Sequence, residues 1–163
     1  MSSSPAQDQP ESFLILDPEF EMQKCINAYG YKRYVEKQCP HCDSTDVTIM
    51  NRYHRAPEVL VVQLNRSKPS GVKDQTEVKK SAYIYFKYGE ECKMEKYVLK
   101  AVLCHQGENT DAGHYTTYAK HGNIWYHFND HSVFKPPQGT ISLCLKSKMA
   151  YMYVYKKLKR PLN

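Results

Sequence analysis

The chain has 163 residues, 41% hydrophobic and 25% charged, with a formal charge of +6. That length suits one domain with a real core, and the composition is that of an ordinary globular protein. No apolar run approaches the ~18 residues a membrane span needs, and Met1 to Pro10 show neither the basic nor the apolar stretch of a secretory signal. The expectation is an intracellular protein of the cytoplasm or nucleus, without a membrane partner.

Residues 1–11 are rich in Ser, Pro, Gln and acids, a composition expected to be disordered. Phe13 to Leu16 reads as a short strand. Asp17, Pro18 and Glu19 then predict a helix start, with Asp as N-cap and Pro in the first position. Phe20, Cys25, Ile26 and Tyr29 mark that helix, and Gly30 ends it. Everything beyond reads as strands and turns. Residues 31–37 lead into Cys39-Pro-His-Cys42, and Val47 to Met50 follow as a strand. Val59-Leu-Val-Val-Gln-Leu64 is a continuous apolar run of the kind found in strands covered on both faces. A polar loop at 67–76 precedes a strand within 78–88. Residues 97–104 form a strong strand, and 106–112 a loop. His114 to Lys120 and Asn123 to Phe128 predict a hairpin turning at His121 and Gly122. Met149 to Tyr155 closes the series. One helix and six or seven strands predict an antiparallel sheet or the β portion of an α+β fold. Residues 158–163 end the chain as a basic tail. Short basic runs have low specificity, so a solvated tail is expected rather than a nucleic-acid contact.

His114 begins a strand, directly after Gly113, whose missing Cβ lets another backbone approach. A hairpin returns the chain to its starting end, which places Asn129 near His114. An Asn oxygen there would accept the Nδ1 proton of the imidazole and leave Nε2 as a base. By spacing alone, a lone strand His is more often structural than catalytic. Six cysteines are present, of which only Cys39 and Cys42 are closely spaced. Without a secretory signal, free thiols or metal ligation are expected rather than disulfides.

Ala112-Gly-His-Tyr-Thr-Thr-Tyr-Ala119, Trp125-Tyr-His-Phe-Asn-Asp130 and Val133 together resemble the C-terminal signature of the ubiquitin-specific proteases, which are papain-like cysteine proteases. Residues 97–107, 57–66 and 150–155 resemble the strands that accompany it, so the similarity runs from about Phe13 to Lys157. The resemblance implies an α+β fold, the β-rich C-terminal half of that domain, with a palm sheet and a fingers extension over residues 12–157. It implies His114 as general base, Asn129 as its orienter and Asp130 as support. Gly113 and Tyr115 would border the channel for the glycine-ended tail of ubiquitin. The loop 108–112, with Glu108 and Asp111, would close over that tail, and its acids suit a basic tail.

The family's nucleophile sits in a block reading Gly-Asn-Thr-Cys-Tyr, and these 163 residues contain no such block. A nucleophilic thiol needs help from a helix N-terminus or a neighbouring His. Cys25 lies near the C-terminal end of its predicted helix, Cys104 lies within a strand, Cys92 stands among Glu90, Glu91 and Glu95, and Cys144 matches no family position. The reading is a deubiquitinating hydrolase homologue with base and orienter but no nucleophile of its own. A partner carrying the helical, cysteine-bearing half would complete it, and ubiquitin or a ubiquitinated protein would be its ligand. A non-catalytic ubiquitin-binding protein and a zinc-knuckle interaction module are the alternatives. Catalysis needs no cofactor, but Cys39 and Cys42 resemble half of the family's structural zinc site, which takes four ligands.

Overall fold

The computed structural model describes residues 13–159 except 32, 40, 41, 43, 80, 110, 111, 138 and 141–147. The expected disordered segment and most of the basic tail therefore lie outside the described residues. Strands β1 (Leu14–Leu16), β4 (Val59–Leu64), β5 (Tyr83–Tyr88), β6 (Lys93–Gln106), β7 (His114–His121), β8 (Ile124–Asn129), β9 (Ser132–Phe134) and β10 (Ala150–Lys157) form one sheet. Its order is β1-β4-β10-β6-β7-β8-β9, with β5 also on β6. Strands β2 (Arg33–Glu36) and β3 (Asp46–Ile49) make a separate antiparallel pair, and α1 (Met22–Tyr29) is the helix. The sheet is mixed rather than wholly antiparallel, because β1 runs parallel to β4.

The long strand β6 is the spine. One edge pairs with β10, while β5 and β7 share the other edge end to end. Its buried side chains switch from Tyr97 and Leu99 to Val102 and Cys104. The switch coincides with a register break opposite Val154 and Tyr155, where one extra β6 residue inverts the alternation. Both halves of the strand thereby feed one core, shared with Leu60, Val62, Leu64, Ile84, Phe86, Tyr153 and Tyr155.

Helix α1 adds Met22, Cys25 and Ile26 to that core. Its Gln23 side chain acts as a short strand against the edge of β5, donating to Tyr85 O at 2.8 Å and accepting from Tyr85 N at 2.8 Å. Truncation by Gln23→Ala removes both bonds, and an exposed pair of this kind contributes about 1 kcal/mol. Urea unfolding should show that loss; an unchanged midpoint would reject the clamp.

Three expectations fail in instructive ways. The helix starts at Met22 after an N-cap Glu21 that makes no side-chain cap bond, not at Asp17. The Asp17 carboxylate instead accepts from Asn65 Nδ2 at 3.0 Å, extending the β1–β4 pairing, and residues 20–22 ladder with Lys79. Gly30 ends the helix in a right-handed conformation (φ −87), its N–H donating to Asn27 O. Strand β4 is buried on one face only: Val59 is 51% exposed, as is Ile15 of β1 at 50% on that same side. A continuous apolar run records hydrophobicity, not which face receives a cover. The β7–β8 turn falls on Gly122 and Asn123, since His121 already pairs with Ile124, and Gly122 takes the left-handed φ of +57.

Candidate active site

Strand β7 begins at His114, held by pairing with Gln106 at the end of β6. Strand β8 ends at Asn129, and the chain reverses through Asp130, whose φ of +49 lets β9 start at once. The hairpin so closes His114 onto Asn129 that Nε2 of His114 lies 2.6 Å from Asn129 Oδ1. An amide oxygen only accepts, so Nε2 carries the proton and donates it. This corrects the sequence expectation: Nε2 is committed to the orienter, and Nδ1 keeps the lone pair. The spacing brings the two residues together but leaves the ring's rotation undetermined. The Asp130 carboxylate stands 3.8 Å from the same Nε2 and is well exposed.

Glu108 and Tyr115 are exposed beside this corner, and Asp111 lies outside the described residues. The segment before β5 lies across the loop after β6. Val72 bridges Asn109, and Lys73 N donates to Glu108 O at 3.4 Å. Gly113 is required by crowding: a Cβ there would lie 2.4 Å from both Gln106 O and His105 Nε2. Gly107 is equally constrained, with Ala112 O 2.4 Å from where its Cβ would be.

His105 and Lys73 were not singled out by sequence. Both are 2% exposed, and Lys73 Nζ donates to His105 O at 2.6 Å and to Nδ1 at 3.2 Å. The two glycines bracketing loop 107–113 were the available signal, since paired glycines mark a close approach. Burial, and then the charge of Lys73, hold the His105 imidazole below its ordinary pKa of 6.5. Burial alone does the same for His127, which stacks on Tyr118. Both rings take up a proton less readily in the fold than in the unfolded chain, which protonates below about pH 6.5. Stability is therefore whole above that value and is lost as pH falls beneath it. Urea midpoints at about pH 7.5 and pH 5 should differ in that sense, and a double His105→Gln, His127→Gln variant should flatten the difference. A midpoint independent of pH over this range would contradict it.

Among the described residues no group of three or more His, Cys, Asp or Glu is placed to hold a metal. Cys39 and Cys42 sit at the β2–β3 turn, closed by Cys39 N donating to Ser44 O at 2.8 Å. Two thiols fill half of a structural zinc's coordination, so these residues alone do not fit the ion.

Cys25 and Cys104 are buried in the core, Cys104 opposite Thr116 in the same strand pair that carries His114. Cys92 precedes the start of β6 while His114 pairs with its last residue, which separates them by roughly 40 Å of strand at ~3.3 Å per residue. Cys144 lies outside the described residues.

The family model described as ubiquitin carboxyl-terminal hydrolase matches residues 21–155. The chain belongs to that family. It is a ubiquitin-specific protease homologue and corresponds to the β-rich, C-terminal half of the domain. It is similar to a probable ubiquitin carboxyl-terminal hydrolase 8 of Schizosaccharomyces pombe, with 23% identity over 138 residues, 82% of this chain and 30% of the relative. Ubiquitin carboxyl-terminal hydrolase 8 of Arabidopsis thaliana is 33% identical over 132 residues, 74% of this chain and 14% of that protein. Among solved structures, one of the yeast SAGA DUBm superposes with a TM-score of 0.75 at 27% identity, over 90% of this chain and 35% of that one. The SAGA DUB module bound to monoubiquitin gives 0.73 at 26%, over the same shares. The family homologue described here thus spans about a third, or less, of the length of these relatives.

Proposed function

We propose that this chain supplies the base-and-orienter side of a thiol protease cleft that cleaves after the terminal glycine of ubiquitin. The observation that carries the reading is the 2.6 Å contact from His114 Nε2 to Asn129 Oδ1, at the start of β7 and the end of β8. Asn129 holds the proton on Nε2, so Nδ1 of His114 is the nitrogen that takes the proton of an attacking thiol. Asp130 adds negative charge beside the imidazolium that then forms. Gly113 and Tyr115 border the substrate channel, and Glu108 and Asp111 attract the basic tail of ubiquitin. The nucleophile comes from a helical half bearing the Gly-Asn-Thr-Cys-Tyr block that these residues lack.

That same lack favours a second reading, a ubiquitin-binding protein without catalysis. One pair of measurements separates them: titration of the chain with ubiquitin, and hydrolysis of a ubiquitin–fluorophore conjugate. Hydrolysis abolished by His114→Ala places a working nucleophile on the chain. Binding without hydrolysis is expected of the chain alone, and hydrolysis on adding the helical half then establishes the first reading. Failure of both binding and complementation rejects each of them. It leaves a zinc-knuckle module, for which Cys39 and Cys42 supply two of four ligands and which metal analysis of Cys39→Ser tests.

A further inference from the structure

Lys73 sits on the connection between β4 and β5, yet it is buried as deeply as the core. Among the described residues it makes no ion pair. A buried ammonium without a carboxylate is costly, and an apolar side chain of similar length would fill the same space. What lysine adds is direction. Its Nζ donates both to the backbone oxygen and to Nδ1 of His105. Burial disfavours the Lys73 charge, yet an ammonium only donates, so a charged Lys73 leaves Nδ1 as the acceptor and puts the His105 proton on Nε2. The opposite edge of that ring faces the two ends of loop 107–113. Cε1 lies 3.0 Å from where a Cβ of Gly107 would be, and Nε2 lies 2.4 Å from where a Cβ of Gly113 would be. Tyr115 covers the ring at 4.6 Å between centroids, and Tyr151 stands behind it at 6.2 Å. The ring is thus a spacer between a buried lysine and the backbone that turns into His114.

We propose that Lys73 and His105 form a positioning pair for His114. Lysine selects one tautomer and one orientation of the His105 ring, and the ring sets Gly113 so that the next residue meets Asn129. Neither member touches substrate or the reacting atoms. The inference rests on the reading of His114 as general base for its meaning in catalysis, but its test reads the imidazoles directly and involves no ubiquitin.

Long-range proton–nitrogen correlation spectra of the nitrogen-labelled full chain report which ring nitrogen of each histidine is protonated. In the native protein, both His105 and His114 should carry a proton on Nε2, and His105 should leave Nδ1 bare. In Lys73→Met, which keeps volume and removes direction, His105 should become a mixture of tautomers. The His114 Nε2–H signal should be lost with it, while the amide signals of β2 and β3 stay in place. Lys73→Arg, which restores a donor, should bring the His114 signal back. A role in packing alone predicts no change at His114 in Lys73→Met, and that result would overturn the proposal. So would a native His105 protonated on Nδ1, a measurement that needs no variant and decides the matter even where Lys73→Met does not fold. Ubiquitin binding can fail while these signatures stand, which separates the two readings.

Discussion

With the helical thiol-bearing half added, His114→Ala should lower kcat/KM for a ubiquitin–fluorophore substrate by roughly 10²–10⁴-fold, the span of positioned acid–base assistance. The loss should fall on kcat rather than KM. Proton removal from the thiol belongs to the reaction step, whereas the tail of ubiquitin is held by the channel. Asn129→Ala should cost less, because the amide moves no proton. It accepts from Nε2 at 2.6 Å and so keeps Nδ1 bare. Without it the ring samples the other tautomer, in which Nδ1 carries the proton and is useless as a base. Asp130 is 3.8 Å away and exposed to solvent, where screening is strong, so Asp130→Asn should be the mildest of the three. Equal rates for His114→Ala and the unaltered chain would end the proposed mechanism, whatever the family.

Arg66→Met should lower the unfolding free energy by about 3 kcal/mol, the scale set by stranding several carbonyl oxygens. Arg66 is 1% exposed. Nε donates to Ala150 O at 2.8 Å, and Nη1 donates to Asp74 O at 2.8 Å and Thr76 O at 3.0 Å. Those three acceptors join β10 to the connection that carries Lys73. Burial pushes the Arg66 pKa down, while Tyr153 and Asp74 favour its charge. Methionine fills the volume but offers no donor, so Ala150 O, fully buried, loses its partner. Urea unfolding measures the difference, and a change below about 1 kcal/mol would show that water satisfies the carbonyls instead. Because Val72 and Lys73 on that connection meet Asn109 and Glu108, the same variant should also loosen the corner around His114.

The strands are legible in the sequence, and most of the contacts between them are not. The apolar runs at 59–64, 97–104 and 150–155 lie in β4, β6 and β10. The three-residue β9 was missed, being too short to show a period. The helix start at Asp17 and Pro18 was a good local signal overridden from outside. Asn65 claims the Asp17 carboxylate, and Lys79 claims the backbone on either side of Glu21. Arg66 was legible as part of a family-like strand end, but nothing local announced that it would be buried.

That His114 and Asn129 share one end of the sheet was readable from sequence, because a tight turn returns β8 to the start of β7; the turn at Gly122 and Asn123 sets Thr117 opposite Phe128, so Asn129 reaches His114 through its side chain and not as its register partner. Family membership was likewise readable, since it lies in the order of motifs along the chain. Tertiary structure decided the rest. Which nitrogen of His114 meets Asn129 depends on ring rotation, which spacing does not encode. That Lys73 lies under His105, 32 residues away, depends on a loop crossing a strand end. Burial of a charge is a property of everything packed around it, and no window of the sequence contains that set.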